Sequence, residues 1–123
     1  MQILIQDLIA GIQPVQVAPT FSVRYAVRAM HHQGVGAVVI VEEGQLLGVF
    51  TERDVLRFFG ASRRNPDTTD IGDVMTQNPV TISPWTSVKT VRSMMLEKGG
   101  HIPVVDDGRV LGVVSLCRLA LAG

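Results

Sequence analysis

The sequence predicts an α/β (α+β) fold in which one β-α-β-β-α unit is used twice. Three observations predict it. Residues 14–41 align without a gap on residues 79–106, an offset of 65, with 8 of the 28 aligned positions identical. Chance would give roughly two. After one residue drops out the match resumes, with Gly44-Gln45-Leu46-Leu47-Gly48-Val49 on Gly108-Arg109-Val110-Leu111-Gly112-Val113. Each copy also passes from helical spacing to paired β-branched runs.

The elements follow in order. Ile5-Gln6-Asp7-Leu8-Ile9 and Ile71-Gly72-Asp73-Val74-Met75 lead into the copies as matching short helical turns. A brief apolar run comes next, Val15–Val17 or Val80–Ile82, and a proline soon after it marks the end of a short strand. Ser22 then precedes Val23, Ala26, Val27 and Met30, and Ser87 precedes Val88, Val91, Met94 and Met95. Spacings of three and four put one apolar stripe on a helix, and serine caps its first free amides. Gly34 and Gly99 fit the helix stops.

Two apolar runs with an acidic glycine turn between them then predict a hairpin in each copy. The first is Ala37–Val41, turn Glu42-Glu43-Gly44-Gln45, then Leu46–Phe50. The second is Ile102–Val105, turn Asp106-Asp107-Gly108-Arg109, then Val110–Val114. A final helix covers Arg53–Phe59 and Leu116–Ala122. Residues 61–70 are polar, hold a proline and show no period, so they read as the linker. The copies are accordingly bounded at 5–60 and 71–122.

Composition narrows the function. A chain of 123 residues, 46% hydrophobic, gives halves that are marginal alone, so a shared core is expected. Net charge is zero and the longest basic run is Arg63-Arg64, which argues against nucleic acid as the main partner. No apolar stretch approaches the ~20 residues that cross a bilayer, and the start lacks a basic n-region followed by an apolar one. The single cysteine, Cys117, cannot form an internal disulfide. A cytoplasmic protein without a membrane partner is the expectation.

Catalysis finds no support in the sequence. Adjacent His31 and His32 point about 100° apart on a helix and do not share one ion easily. Cys117 lacks a CxxC partner, and no GxSxG, HExxH or P-loop pattern occurs. The stronger signal is Gly48-Val49-Phe50-Thr51-Glu52-Arg53-Asp54, at the junction of hairpin and helix. A hydroxyl and a carboxylate three residues apart lie on one side of a helix's first turn, beside free amides and a positive dipole end. Asp54 can accept hydrogen bonds from a ribose diol, and Thr51 with the amides can hold phosphate oxygens. The same pair also reads as a helix cap, with Thr51 at the N-cap and Asp54 at N3. The two readings are compatible, because capping pre-positions the groups.

The second copy reads Gly112-Val113-Val114-Ser115-Leu116-Cys117-Arg118, keeping the hydroxyl and replacing the carboxylate by arginine. Arginine accepts no hydrogen bonds, so the copies are not functionally equal. Lys98-Gly99-Gly100-His101-Ile102-Pro103-Val104-Val105 is the other candidate. Its glycines let backbone approach a ligand, and His101 is placed to donate to phosphate or simply to lie part-exposed at a strand start.

Taken together, these motifs resemble a tandem pair of CBS domains, a Bateman module. The residues that carry the resemblance are Asp73-Val74-Met75, Pro79-Val80-Thr81-Ile82-Ser83-Pro84, the serine-led helices, His101 through Gly108, and Gly48 through Val55. It covers about residues 5–122. The resemblance implies two clefts between the copies, and an adenosyl ligand such as AMP, ADP, ATP, S-adenosylmethionine or a dinucleotide. The intact cleft would combine Val49, Thr51, Arg53 and Asp54 with Asn78, Pro79, Val80, Gly100, His101, Ile102 and Pro103. In it Asp54 would hold the ribose, Val80 and Ile102 would sandwich the adenine, and Thr51, Arg53 and His101 would face phosphate. The other cleft would combine Val15, Gly36, Ala37, Ser115 and Arg118, and is degenerate because its aspartate is missing.

The resemblance further implies a homodimer built helix against helix. Val55, Leu56, Phe58 and Phe59, like Leu116, Leu119, Leu121 and Ala122, are apolar over more than one helix face. Phe58 and Leu119 are therefore expected at the dimer surface. The reading is a non-catalytic regulatory module that needs no cofactor, senses an adenosyl ligand and signals to an unknown target protein. Its competitor is a structural homodimerisation module with empty clefts.

Overall fold

The computed structural model of the chain describes residues 2–98 and 100–115. Gly99, Arg118 and the second final helix, expected at Leu116–Ala122, lie outside the described residues. The elements are α1 (Ile5–Ile9), β1 (Gln16–Val17), α2 (Val23–Gln33), β2 (Ala37–Glu42), β3 (Gln45–Thr51), α3 (Glu52–Ala61), a 3-10 turn (Ile71–Asp73), β4 (Thr76–Gln77), α4 (Val88–Lys98), β5 (His101–Asp106) and β6 (Arg109–Ser115). No described helix is long and apolar enough to cross a membrane.

The chain folds as two compact units. One is residues 15–79, with a four-stranded sheet in the order β1-β2-β3-β4, parallel at β1–β2 and antiparallel elsewhere. Its buried cluster holds Val17, Val23, Ala26, Met30, Val38, Ile40, Phe50, Phe58 and Ile71. The other unit is residues 1–14 with 80–123. It carries the antiparallel β5–β6 hairpin and a buried cluster of Ile5, Ile9, Ile82, Val88, Val91, Ile102, Val104 and Val114. Each unit thus encloses a buried apolar cluster of its own.

Both units repeat the predicted chemistry. The hairpin turns put Glu43 and Gly44 at φ 51° and 79°, and Asp107 and Gly108 at 53° and 80°. Positive φ at both central residues is the turn whose twist matches paired strands. Leu47 and Leu111 are extra residues at matching bulges, since Ile40 pairs Gly48 and Val41 pairs Leu46, while Val104 pairs Gly112 and Val105 pairs Val110. Ser22 Oγ accepts the Tyr25 N–H at 3.0 Å, and Ser87 Oγ accepts the Thr90 N–H at 3.2 Å. Gly34 stops α2 at φ 65°, its N–H reaching the His31 and Met30 carbonyls. The brief second-copy strand is a single parallel bridge at Ile82, which donates to the Pro103 carbonyl and accepts from Val105.

The packing units do not follow the sequence copies. The leading turn of each copy packs on the hairpin of the other copy. Ile9 of α1 covers Gly112 in β6, where an added Cβ would lie 3.2 Å from the isoleucine. Met75, its counterpart, covers Gly48 in β3, where a Cβ would lie 2.6 Å from both the Met75 sulfur and the Thr76 carbonyl. This exchange supplies Ile5 and Ile9 to one core and Ile71 to the other, so a half of about 60 residues closes around enough apolar surface. Gly48→Ala is expected to cost about 1–3 kcal/mol in a thermal or urea melt, because backbone must give way. Gly112→Ala should cost less, because only flexible side-chain atoms of Ile9 stand in the way.

Residues 61–70 are more than a loose connection. Asn65 organises a turn by accepting from Asp67 and Thr69, and Arg24 pairs with Asp67. The Val23 and Arg24 amides, orphans at the start of α2, donate to Thr69 and Pro66 carbonyls. One further expectation is corrected here. Phe58 is 5% exposed within its own core, whereas Leu56 and Phe59, three residues apart, are 75% and 52% exposed. The apolar positions of α3 therefore divide between two faces, and Phe58 belongs to the inner one.

Candidate functional site

The local sequence builds its candidate site where β3 runs into α3. Thr51 is the last residue of the strand and, with extended backbone at φ −113° and ψ 173°, the N-cap of the helix. Its Oγ1 accepts the Asp54 N–H at 3.4 Å. In return Asp54 Oδ2 accepts the Thr51 N–H at 2.9 Å and the Thr51 hydroxyl at 3.1 Å. This is the reciprocal cap expected from the spacing, and it fixes the carboxylate against the positive end of α3.

Asp54 is one of two buried polar residues among those described, at 8% exposure. Its second oxygen, Oδ1, accepts from the Thr76 hydroxyl of β4 at 3.5 Å and faces Arg57 Nη1 at 3.7 Å. The Arg57 side chain is 70% exposed, so the ion pair adds little stability and the guanidinium can leave it. Asp54, Arg57, Ser62 and Thr76 line a groove of about 510 Å³ whose remaining walls include Phe50, Phe58, Val74 and Met75. A buried anion, a movable cation, hydroxyls and an apolar wall suit a polar organic ligand with a flat apolar part.

The other expected residues are placed as follows. Val49 is buried in β3, paired with Val39 on one side and Thr76 on the other. Arg53 is exposed on α3. Asn78 is exposed at φ 47°, a left-handed conformation that asparagine tolerates, and its N–H reaches the Leu47 carbonyl at 3.4 Å. Pro79 follows it, half-buried. In the other unit Val80 is 45% exposed, Gly100 and His101 are half-buried, and Pro103 is buried. Ile102 is 1% exposed, inside its unit's core, which leaves Val80 as the exposed apolar side chain of the pair proposed for adenine.

Hairpin register pairs several of the expected residues within one unit. Ala37 pairs with Thr51, and the Glu52 N–H donates to the Gly36 carbonyl at 3.1 Å. Val15, whose carbonyl accepts from Val39, lies in the same unit. His101 likewise pairs with Ser115 across β5 and β6. Sequence reading misses Arg57 and Thr76. The three-residue spacing from Asp54 is a signal for Arg57. Thr76 comes from a two-residue strand 22 residues on, and local sequence holds no signal for it. No group of three histidine, cysteine or acidic side chains able to hold a metal occurs among the described residues.

Comparison with known proteins gives the class. The CBS domain family model matches residues 6–61 and again residues 71–122, so this chain belongs to the CBS-domain family and holds two copies of the domain. Among solved structures it resembles the CBS-domain containing protein ATU1752 from Agrobacterium tumefaciens, with TM-score 0.88, 27% identity and 98% of each chain covered. It also resembles the CBS domain pair of protein MJ0100, in complex with 5′-methylthioadenosine and S-adenosyl-L-methionine. There the TM-score is 0.87 at 25% identity, over 99% of this chain and 96% of that one. A curated relative, the mitochondrial CBS domain-containing protein CBSX3 of Arabidopsis thaliana, is 37% identical over 97 residues, 74% of this chain and 47% of that protein. The chain spans about half the length of the first curated relatives it matches.

Proposed function

We propose that this chain is a non-catalytic regulatory module that binds one adenosyl ligand and needs no further cofactor. The observation that carries the proposal is the buried Asp54 carboxylate, fixed by Thr51 at the head of α3 and lining an open groove. The adenosyl ligands of the similar MJ0100 pair support the chemical class. In this reading Asp54 holds the ribose, while Thr51 and Arg53 face phosphate. From the second copy, the family resemblance alone brings Val80, Gly100, His101, Ile102 and Pro103 to the ligand, with Asn78 and Pro79 before them. The ligand acts by differing in affinity for two states of the module, which a target protein reads in the cytoplasm.

Calorimetry with AMP, ATP, adenosine and S-adenosylmethionine tests the proposal. One site per chain is expected, because Arg118 stands where the second copy needs an acceptor. Two equivalent sites per chain, or no binding of any of the four compounds, would overturn it.

A second reading, a homodimerisation module, is favoured by one observation. The exposed Leu56 and Phe59 stand on α3, and Leu56 joins Val27, Met30, Val35 and Val55 along an apolar groove of about 500 Å³. A second copy is its proposed occupant, and the two readings coexist if ligand binding works through that dimer.

A further inference from the structure

The two carboxylate oxygens of Asp54 have different duties. Oδ2 is committed to the cap, accepting two bonds from Thr51 at 2.9 and 3.1 Å. Each carboxylate oxygen has two acceptor positions, so Oδ2 is full and Oδ1 is the oxygen left for a ligand. The hydroxyl directed at Oδ1 is that of Thr76. Thr76 belongs to the segment that leads the second sequence copy, yet it pairs with Val49 of β3. Its seat is tight, since the Thr76 carbonyl comes so close to Gly48 that a Cβ there would lie 2.6 Å from it. The hydroxyl is therefore delivered by backbone in close register and not by a wandering loop.

The second half of the molecule supplies an internal comparison. Ile9 covers Gly112 as Met75 covers Gly48, so the residue after each is the structural counterpart of the other. That makes Ala10 the counterpart of Thr76, as Arg118 is the counterpart of Asp54 in sequence. The hydroxyl and the carboxylate occur together in one half and are missing together in the other.

We propose that Thr76 is a positioning residue for ligand binding, aiming the remaining acceptor position of Asp54 Oδ1 at a ribose hydroxyl through its own hydroxyl. The inference rests on the reading that Asp54 holds the ribose. It makes affinity depend on the seating of β4, so that a shift of the segment leading the second copy would change ligand affinity at Asp54.

The test is calorimetric titration of AMP into the full chain carrying Thr76→Val, Thr76→Ser or Asp54→Asn, with thermal melts of each ligand-free variant. Valine keeps the β-branched shape and removes the hydroxyl, and serine keeps the hydroxyl. Thr76→Val should bind AMP about 5- to 20-fold more weakly, Thr76→Ser should bind within about 2-fold of the native chain, and both should melt with it. Should Thr76→Val melt early, Thr76→Ala repeats the comparison. Native affinity in Thr76→Val, or an equal loss in Thr76→Ser, would overturn the positioning role. Native affinity in Asp54→Asn, or no AMP binding by the native chain, would overturn the ribose assignment as well. A loss in Asp54→Asn with none in Thr76→Val would remove Thr76 alone.

Discussion

Phe58→Glu should unfold the unit that contains Asp54, whereas Leu56→Glu should leave it folded and split the proposed dimer. Phe58 is 5% exposed and packs in the cluster with Val17, Met30, Phe50 and Ile71. Removing a buried phenylalanine costs about 3–5 kcal/mol, and placing a carboxylate there adds a desolvation penalty. Set against a typical total stability of about 5–15 kcal/mol, little or nothing remains. Leu56 is 75% exposed, so its replacement should change stability by no more than about 0.5 kcal/mol. Its effect should appear in association, because a second copy would have to bury the new charge. Circular dichroism melting combined with light scattering checks both. A folded Phe58→Glu protein would contradict the core assignment, and a native chain of monomer mass would remove the homodimer proposal.

Asp54→Ala should weaken adenosyl binding about 10- to 100-fold, since a hydrogen bond to a charged group is worth about 1.5–3 kcal/mol. The same substitution removes half of the α3 cap, and losing a cap costs about 0.5–2 kcal/mol. Both effects are expected from one variant because one carboxylate serves both purposes. The cap uses Oδ2, while Oδ1 faces the groove. Titration calorimetry reads the first effect, and a melt of the ligand-free protein reads the second. An early melt with unchanged affinity would leave Asp54 a cap and nothing more.

Much of this site was legible beforehand, for a local reason. The Thr51–Asp54 cap spans three residues, and its geometry is set by one turn of helix, so spacing alone discloses it. Thr76 was not legible, because a two-residue strand carries no period. The role of Phe58 was illegible for another reason. Four apolar residues crowd one short helix, and only the surrounding elements decide which face is inside.

The repeat, the serine-led helices, the glycine-turned hairpins and the absence of the aspartate from the second copy are all written in the order of residues. These depend on contacts between neighbours along the chain, or on one copy read against another. Tertiary structure decided which partners distant segments take. It placed α1 on Gly112 and Met75 on Gly48, stapled residues 65–69 to the head of α2, and brought the Thr76 hydroxyl to Asp54. The reason is that each leading turn is too small to bury its apolar side on its own copy's elements in sequence order. Both hairpins carry the glycine that admits a leading turn, so no local pattern encodes which partner is taken.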